Sequence, residues 1–342
     1  MSLNHLYTYT DSVSQLINSS KYIETLDLAD DIINDYMHFP GNERYFTYLY
    51  LYKAGTYMAL GDMMLSRYCN NLALSYAVKS SDRSAGFVIR NNLAVIDIER
   101  MDYQSCYNKC QDLIHDPSLS LTEDQEGMVL NNFALCAVKL ELNKTADSLF
   151  SMLLPMASSD KTYTHFDPNL TFRNYGMYLR KLDRDQEAII YLSEAVSGYT
   201  EKRGVGNFQT GQSFIYLGEC YHNIGDLDSA QICFNKAINI LDPDPHSMEY
   251  SQNEMIRIKA YRVRAEFYYV TGRESLALMD IEMAVEKIRH IIESYAASES
   301  SYIVAQLVRP VFNLGIEILV RMFEQSGGGD FFYRAIQYSD EA

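Results

Sequence analysis

Residues 211–243, GQSFIYLGECYHNIGDLDSAQICFNKAINILDP, set a pattern that returns in frame along most of a 342-residue chain. With Gly211 as position 1, the unit carries Leu217-Gly218, Tyr221, Gly225-Asp226, Ala230, Phe234, Ala237 and Pro243 at positions 7, 8, 11, 15, 16, 20, 24, 27 and 33. Small and large residues alternate at helical spacing, so the unit reads as two amphipathic helices joined by a turn. The frame starts again near Leu6, Thr47, Phe87, Gly127, Asn169 and Ile258, at intervals of 40 to 47 residues. Position 8 must be small where two helices cross closely, and it reads Val13, Ala54, Ala94, Ala134, Gly176, Gly218 and Ala265. Position 20 faces it and reads Thr25, Ser66, Cys106, Ala146, Ala188, Ala230 and Ala277. Position 24 is mostly larger: Ala29, Asn70, Cys110, Phe150, Leu192, Phe234 and Ile281. Position 27 reads Ile32, Ala73, Leu113, Leu153, Ala195, Ala237 and Ala284. The first copy is the weakest match.

The turn inside a unit is marked by Gly61-Asp62, Gly225-Asp226 and Gly272-Arg273. Glycine supplies the left-handed conformation that ends a helix. Proline cannot sit cheaply inside a helix, so Pro40, Pro117, Pro155, Pro168, Pro243 and Pro245 are expected between units. Pro310 falls inside the apolar stretch 302–323 and should kink or begin a helix there.

This spacing resembles the tetratricopeptide repeat, a helix–turn–helix unit. The interval of about 40–42 residues is longer than that repeat's usual 34 and leaves room for about one extra turn in each helix. It is similar to the 42-residue variant found in kinesin light chain, which carries an Asn-Asn-Leu-Ala motif in its first helix. Asn91-Asn92-Leu93-Ala94 and Asn131-Asn132-Phe133-Ala134 match that motif, and Arg173-Asn174-Tyr175-Gly176 is a looser copy. The resemblance covers roughly residues 6–290. It implies an all-α, right-handed superhelix of about seven to eight hairpins, forming one array over residues 1–300. A single unit cannot bury its own apolar face, so stacking must create the core.

Residues 301–342 read as C-terminal helices separated by Gly327-Gly328-Gly329, with Asp330 expected as the N-cap of the last one. Phe331, Ala335, Ile336 and Tyr338 would form a final apolar face with nothing after it, which reads as a chain truncated before a further domain. The last fourteen residues are similar to a stretch of bacterial TPR–CHAT proteins, in which the array precedes a caspase-like peptidase domain. That resemblance implies catalytic residues beyond residue 342. A regulatory arm of a transcription regulator or histidine kinase is the parallel alternative.

Composition narrows the function. The net charge is −16, and the acidity is spread evenly, with 12 basic and 21 acidic residues in the first 171. Phosphate binding needs a positive stripe, so nucleic acid is not an expected partner. No apolar run approaches 18 residues, so no membrane span is expected. Neither is a secretion signal visible. The six cysteines do not suggest a disulfide scaffold, and a reducing cytoplasm fits best. Cys106 and Cys110 fall on the buried face of a helix as small core residues.

No motif for catalysis is present: there is no phosphate-binding loop, no His-Glu-x-x-His and no Gly-x-Ser-x-Gly. Gly204-Val-Gly206 reads as a loop between units. Glu219-x-x-His222 has the spacing of carboxylate di-iron bundles but lacks the second copy they require. His115, His165 and His246 lie in expected loops. No cofactor, metal or catalytic residue is therefore assigned, and the chain is read as a non-catalytic scaffold.

The resemblance implies that the first helix of each unit lines a concave groove, with positions 2, 5, 9 and 12 inward and position 6 nearby. Position 5 reads Asn91, Asn131 and Arg173, and position 6 reads Asn92, Asn132 and Asn174. Side-chain amides offer a donor and an acceptor and can pair with the backbone of an extended peptide. They can equally bridge adjacent helices or face water. Further inward positions read Gln212, Tyr216, Glu219 and His222, then Lys259, Arg262, Glu266 and Tyr269, with Arg180 adding positive charge. Together they would make a mixed groove with a local basic patch, suited to an acidic peptide. Arg257, Arg262 and Arg264 alternatively pair with Glu254 and Glu266. The expected partner is a protein or peptide, and the oligomeric state is left open.

Overall fold

The computed structural model describes residues 3–18, 21–36, 38, 41–204, 206–244, 254–294 and 300–341. Pro40, Pro245 and His246 lie outside them. Among the described residues there are sixteen helices and no strand. They fall into two compact units, residues 1–167 and 168–342.

The first unit holds α1 (Leu3–Asn18), α2 (Tyr22–Tyr36), α3 (Glu43–Ala59), α4 (Met63–Lys79), α5 (Arg83–Glu99), α6 (Tyr103–His115), α7 (Glu123–Lys139) and α8 (Asn143–Ala157). The second holds α9 (Pro168–Lys181), α10 (Asp185–Arg203), α11 (Phe208–Asn223), α12 (Leu227–Leu241), α13 (Glu254–Val270), α14 (Glu274–Ser294), α15 (Ser300–Ser326) and α16 (Gly329–Glu341). Odd and even helices pair as antiparallel hairpins, and each hairpin packs on the next within its unit. The seven repeat frames occupy the hairpins α1–α2 through α13–α14, and α15–α16 make an eighth.

The repeat frame is a burial frame. Positions 8, 20, 24 and 27 are buried in all seven hairpins, most of them completely. The close crossing demanded of position 8 is visible at Gly176, where an added Cβ would come within 2.6 Å of Leu192. Ser66 at position 20 satisfies its buried hydroxyl by donating to the Ala54 carbonyl at position 8, 2.8 Å away.

Turn chemistry is less uniform than the glycines suggest. Gly61, Gly225 and Gly272 adopt φ of 81°, 83° and 72° as expected, but Met101, Glu141 and Asp183 hold the same left-handed conformation without being glycine. Three of the six following helices are then capped by a side chain, whereas α8 and α10 are not. Asp62, Asp102 and Asp226 accept the backbone N–H three residues on. Thr122 and Gln125 form a reciprocal capping box at the start of α7.

The prolines depart from expectation in one place. Pro155 lies inside the last turn of α8 rather than between units. Leu153 and Ala157, one turn apart and both buried, hold the helix together past it. Pro310 lies within α15, beside the buried Val311 and Phe312. Pro168 opens α9 as its first residue, where the missing N–H has no intrahelical partner to lose. Asp330 is the second residue of α16 rather than its N-cap, so its carboxylate favours the helix N-terminus as a charge. Ala335 and Tyr338 do not extend an open apolar face. Both are buried, and the Tyr338 ring meets Phe312 edge-on at 5.3 Å.

Two polar clusters are buried within the helix stack. In the first unit Asp97 of α5 is fully buried and takes Arg67 of α4 on one oxygen and Lys109 of α6 on the other. In the second, Asp242 accepts from the Tyr261 hydroxyl at 2.9 Å and from Lys287 at 2.9 Å. Burial first, and then Asp242, push the Tyr261 hydroxyl well above its usual range. All six cysteines are buried and none is in a disulfide. Cys106 and Cys110 lie 3.8 Å apart in the core, and among the described residues no group of His, Cys, Asp or Glu is arranged to hold a metal. Among the described residues no helix is long and apolar enough to cross a membrane.

Candidate functional site

In the first unit the predicted residues lie on α5 and α7. Asn91 and Asn131 at position 5 are buried, at 5% and 1% exposure, whereas Asn92 and Asn132 at position 6 are half-buried. Asn132 donates to the Asn91 carbonyl oxygen at 3.1 Å, and the Asn91 amide nitrogen points at Met128 Sδ. These two amides therefore bridge adjacent hairpins. Asn131 differs: neither its oxygen nor its nitrogen has a hydrogen-bond partner among the described residues. A buried amide left in that state costs about 1–3 kcal/mol.

In the second unit three first helices, α9, α11 and α13, bring the remaining residues together. Tyr216 of α11 is the centre. The Lys259 ammonium of α13 lies 4.1 Å above its ring, and the Arg180 guanidinium of α9 lies 6.0 Å from it. Arg180 also stands 3.4 Å from Glu219, one turn further along α11. Arg173 donates to Gln212. Arg180, Tyr216 with Glu219, and Lys259 occupy position 12 of one hairpin, positions 6 and 9 of the next and position 2 of the third. The cluster is thus a product of lateral stacking.

Several of its polar atoms are left over. The Nε of Arg173, the Nε of Arg180, one oxygen of Glu219 and the Asn174 oxygen are buried without a hydrogen-bond partner. Arg173, Arg180 and Lys259 set against Glu219 leave the cluster positive, inside a chain of net charge −16. A cation held over a tyrosine face is attracted by the negative face of the ring.

The other predicted residues stand apart from it. Arg262 and Glu266 form an i, i+4 pair at 3.0 Å on α13. Tyr269 carries the Arg321 guanidinium of α15 at 4.0 Å, a contact outside the repeat frames. Arg257 pairs with Glu254 at 2.8 Å, and Arg264 makes a two-pronged bond to Asp280 at 2.8 and 2.7 Å. Those two arginines are occupied within the helix stack. His222 turns its ring edge-on to Phe267 at 5.5 Å, separate from the Glu219–Arg180 pair.

Residues 168–242 match the tetratricopeptide repeat family. No curated protein matches the chain. Among solved structures, a Rap protein complexed with competence and sporulation factor is similar at 13% identity and a TM-score of 0.61, covering 99% of this chain and 98% of that one. The apo form of RapI gives 12% identity and a TM-score of 0.64 over 84% of this chain and 99% of that one. A tetratricopeptide repeat protein from Parabacteroides merdae gives 12% identity and a TM-score of 0.56 over 90% of this chain and 98% of that one. At such identities the likeness is one of fold.

Proposed function

We propose that the chain, whose residues 168–242 match the tetratricopeptide repeat family, is a non-catalytic interaction module whose second unit holds an extended, acidic segment of a partner protein on the inward faces of α9, α11 and α13. The observation that carries this reading is Tyr216 set between Arg180 and Lys259. Beside it, the guanidinium Nε atoms of Arg173 and Arg180 are buried with no acceptor. A carboxylate lying along α11 would meet the half-buried charged ends of Arg180 and Lys259, and charge-assisted bonds of this kind are about twice as strong as neutral ones. The Rap structure with competence and sporulation factor is a fold relative that holds a bound factor; what carries over to this chain is binding, not that factor.

Selection of random peptides of about ten residues against the purified chain tests the reading. Enrichment of Asp- and Glu-bearing sequences with micromolar Kd, about −8 kcal/mol, is expected. Arg180→Ala with Lys259→Ala should weaken them at least about tenfold, measured well below the Tm of the variant, which the loss of the Arg180–Glu219 pair lowers. Enrichment of neutral or basic sequences, or affinity indifferent to both substitutions, contradicts it.

A further inference from the structure

Position 22 of the repeat faces solvent in every hairpin: Asp27, Tyr68, Asn108, Ser148, Ile190, Ile232 and Met279 are all exposed. The core therefore demands nothing of this position. Yet the three consecutive hairpins of the second unit place Ile190, Ile232 and Met279 there, at 60%, 54% and 61% exposure. The two preceding hairpins of the first unit use Asn108 and Ser148 at the same place. A single exposed isoleucine needs no explanation, but the same position turned apolar in three successive units of a stack does.

Each of the three has a carboxylate one helical turn away on its own helix face, and Ile232 also has the exposed Lys236 one turn to its other side. Glu194 follows Ile190 on α10, Asp228 precedes Ile232 on α12, and Glu282 follows Met279 on α14. Glu194 and Asp228 have no ion-pair partner among the described residues, whereas Glu282 meets Arg334. One turn before Ile190, Glu187 opens onto a cavity of about 610 Å³ at the start of α10, which Asp183 and Asp185 also line. Arg184 offsets part of that charge by pairing with Glu187 at 2.7 Å.

We infer that the faces of α10, α12 and α14 carrying Ile190, Ile232 and Met279 are a docking surface for a basic amphipathic helix of a partner protein. Its apolar stripe would cover the three side chains, and its Lys and Arg residues would meet the flanking carboxylates, with one reaching the cavity beside Glu187. Charge selects this occupant. A second copy of the chain would bring like carboxylates together, and anionic lipid would be repelled by the same groups. The surface lies on the second helices of the hairpins and is independent of the groove on the first helices.

The test is fluorescence anisotropy of a labelled Leu/Lys amphipathic helix of about five turns titrated with the whole chain, alongside sedimentation of the chain alone. Saturable binding is expected. The triple variant I190S/I232S/M279S should weaken it about tenfold or more at unchanged Tm, since all three side chains are exposed. Glu194→Gln with Asp228→Asn should weaken it and flatten its salt dependence. Arg180→Ala with Lys259→Ala should leave it unchanged, which separates this surface from the groove. Absence of saturable binding, or equal affinity for the triple variant, overturns the inference. So does self-association of the chain that the triple variant abolishes, since the occupant would then be a second copy.

Discussion

A methyl group placed on Gly218 would lie 2.6 Å from the ring of Phe234, in a hairpin where both residues are buried. The contact joins position 8 of α11 to position 24 of α12, and Gly176 with Leu192 repeats it one hairpin earlier at the same 2.6 Å. Gly218→Ala should therefore force the ring to shift and destabilise the chain by about 1–3 kcal/mol. Adding Phe234→Leu should recover part of that loss. Urea unfolding of the single and double variants reads the coupling, and strictly additive losses would show that the contact does not set the helix spacing.

The left-handed turns make an opposite prediction. Glu141 sits at φ 61°, a conformation that glycine adopts freely and other residues adopt at a cost of about 1–2 kcal/mol. Glu141→Gly should raise stability by up to about 1 kcal/mol once the added chain entropy of glycine is subtracted. Gly225 at φ 83° has nothing within 4 Å of the place an added methyl carbon would take, so Gly225→Ala should lose about 1 kcal/mol for conformational reasons alone. Calorimetric Tm values of the two variants should move in opposite directions.

Asp116 gives a pH prediction. Its carboxyl is held down to about 2, first by the Ser118 hydroxyl at 2.6 Å and then by Arg90 at 2.9 Å. A depressed carboxylate contributes stability that is present above its unfolded pKa of about 4 and is lost as pH falls through the folded value. Loss is therefore expected between about pH 4 and 2, and this group adds no pH dependence near neutrality. Ser118→Ala should raise the titration midpoint more than Arg90→Gln does. Carbon-detected NMR of the Asp116 carboxyl measures both, and the reverse order would assign the shift to the guanidinium.

The asparagines separate two roles. Asn132 is bonded to Asn91, so Asn132→Ala should cost about 1–3 kcal/mol of stability by leaving the buried Asn91 oxygen without its donor. Asn92 makes no such bridge, and Asn92→Ala should be nearly silent in stability.

The repeat frame was legible because the core of a helical hairpin is strict about volume. Ala, Gly and Ser at positions 8 and 20 are readable from composition at fixed offsets, and all of them are buried. The turns at Met101, Glu141 and Asp183 were not legible, since no glycine marks them. Nor was Pro155 within α8, where burial of Leu153 and Ala157 outweighs the proline's poor helix propensity. The inward positions expected of the first helices could be named from the frame, but their contacts could not. Whether Arg180 meets Tyr216 or open water depends on how three hairpins are rotated against each other, and one sequence carries no direct sign of that rotation. Arg321 over Tyr269 comes from a helix beyond the repeat frames and left no signal at all.

Hydrogen–deuterium exchange of the whole chain, with and without a selected acidic peptide, decides whether the first helices of the second unit hold a partner. New protection is expected on α9, α11 and α13 around Arg180, Tyr216 and Lys259, and it should be lost in the Arg180→Ala, Lys259→Ala variant. Protection confined to the second helices α10, α12 and α14, or none at saturating peptide, would contradict that assignment.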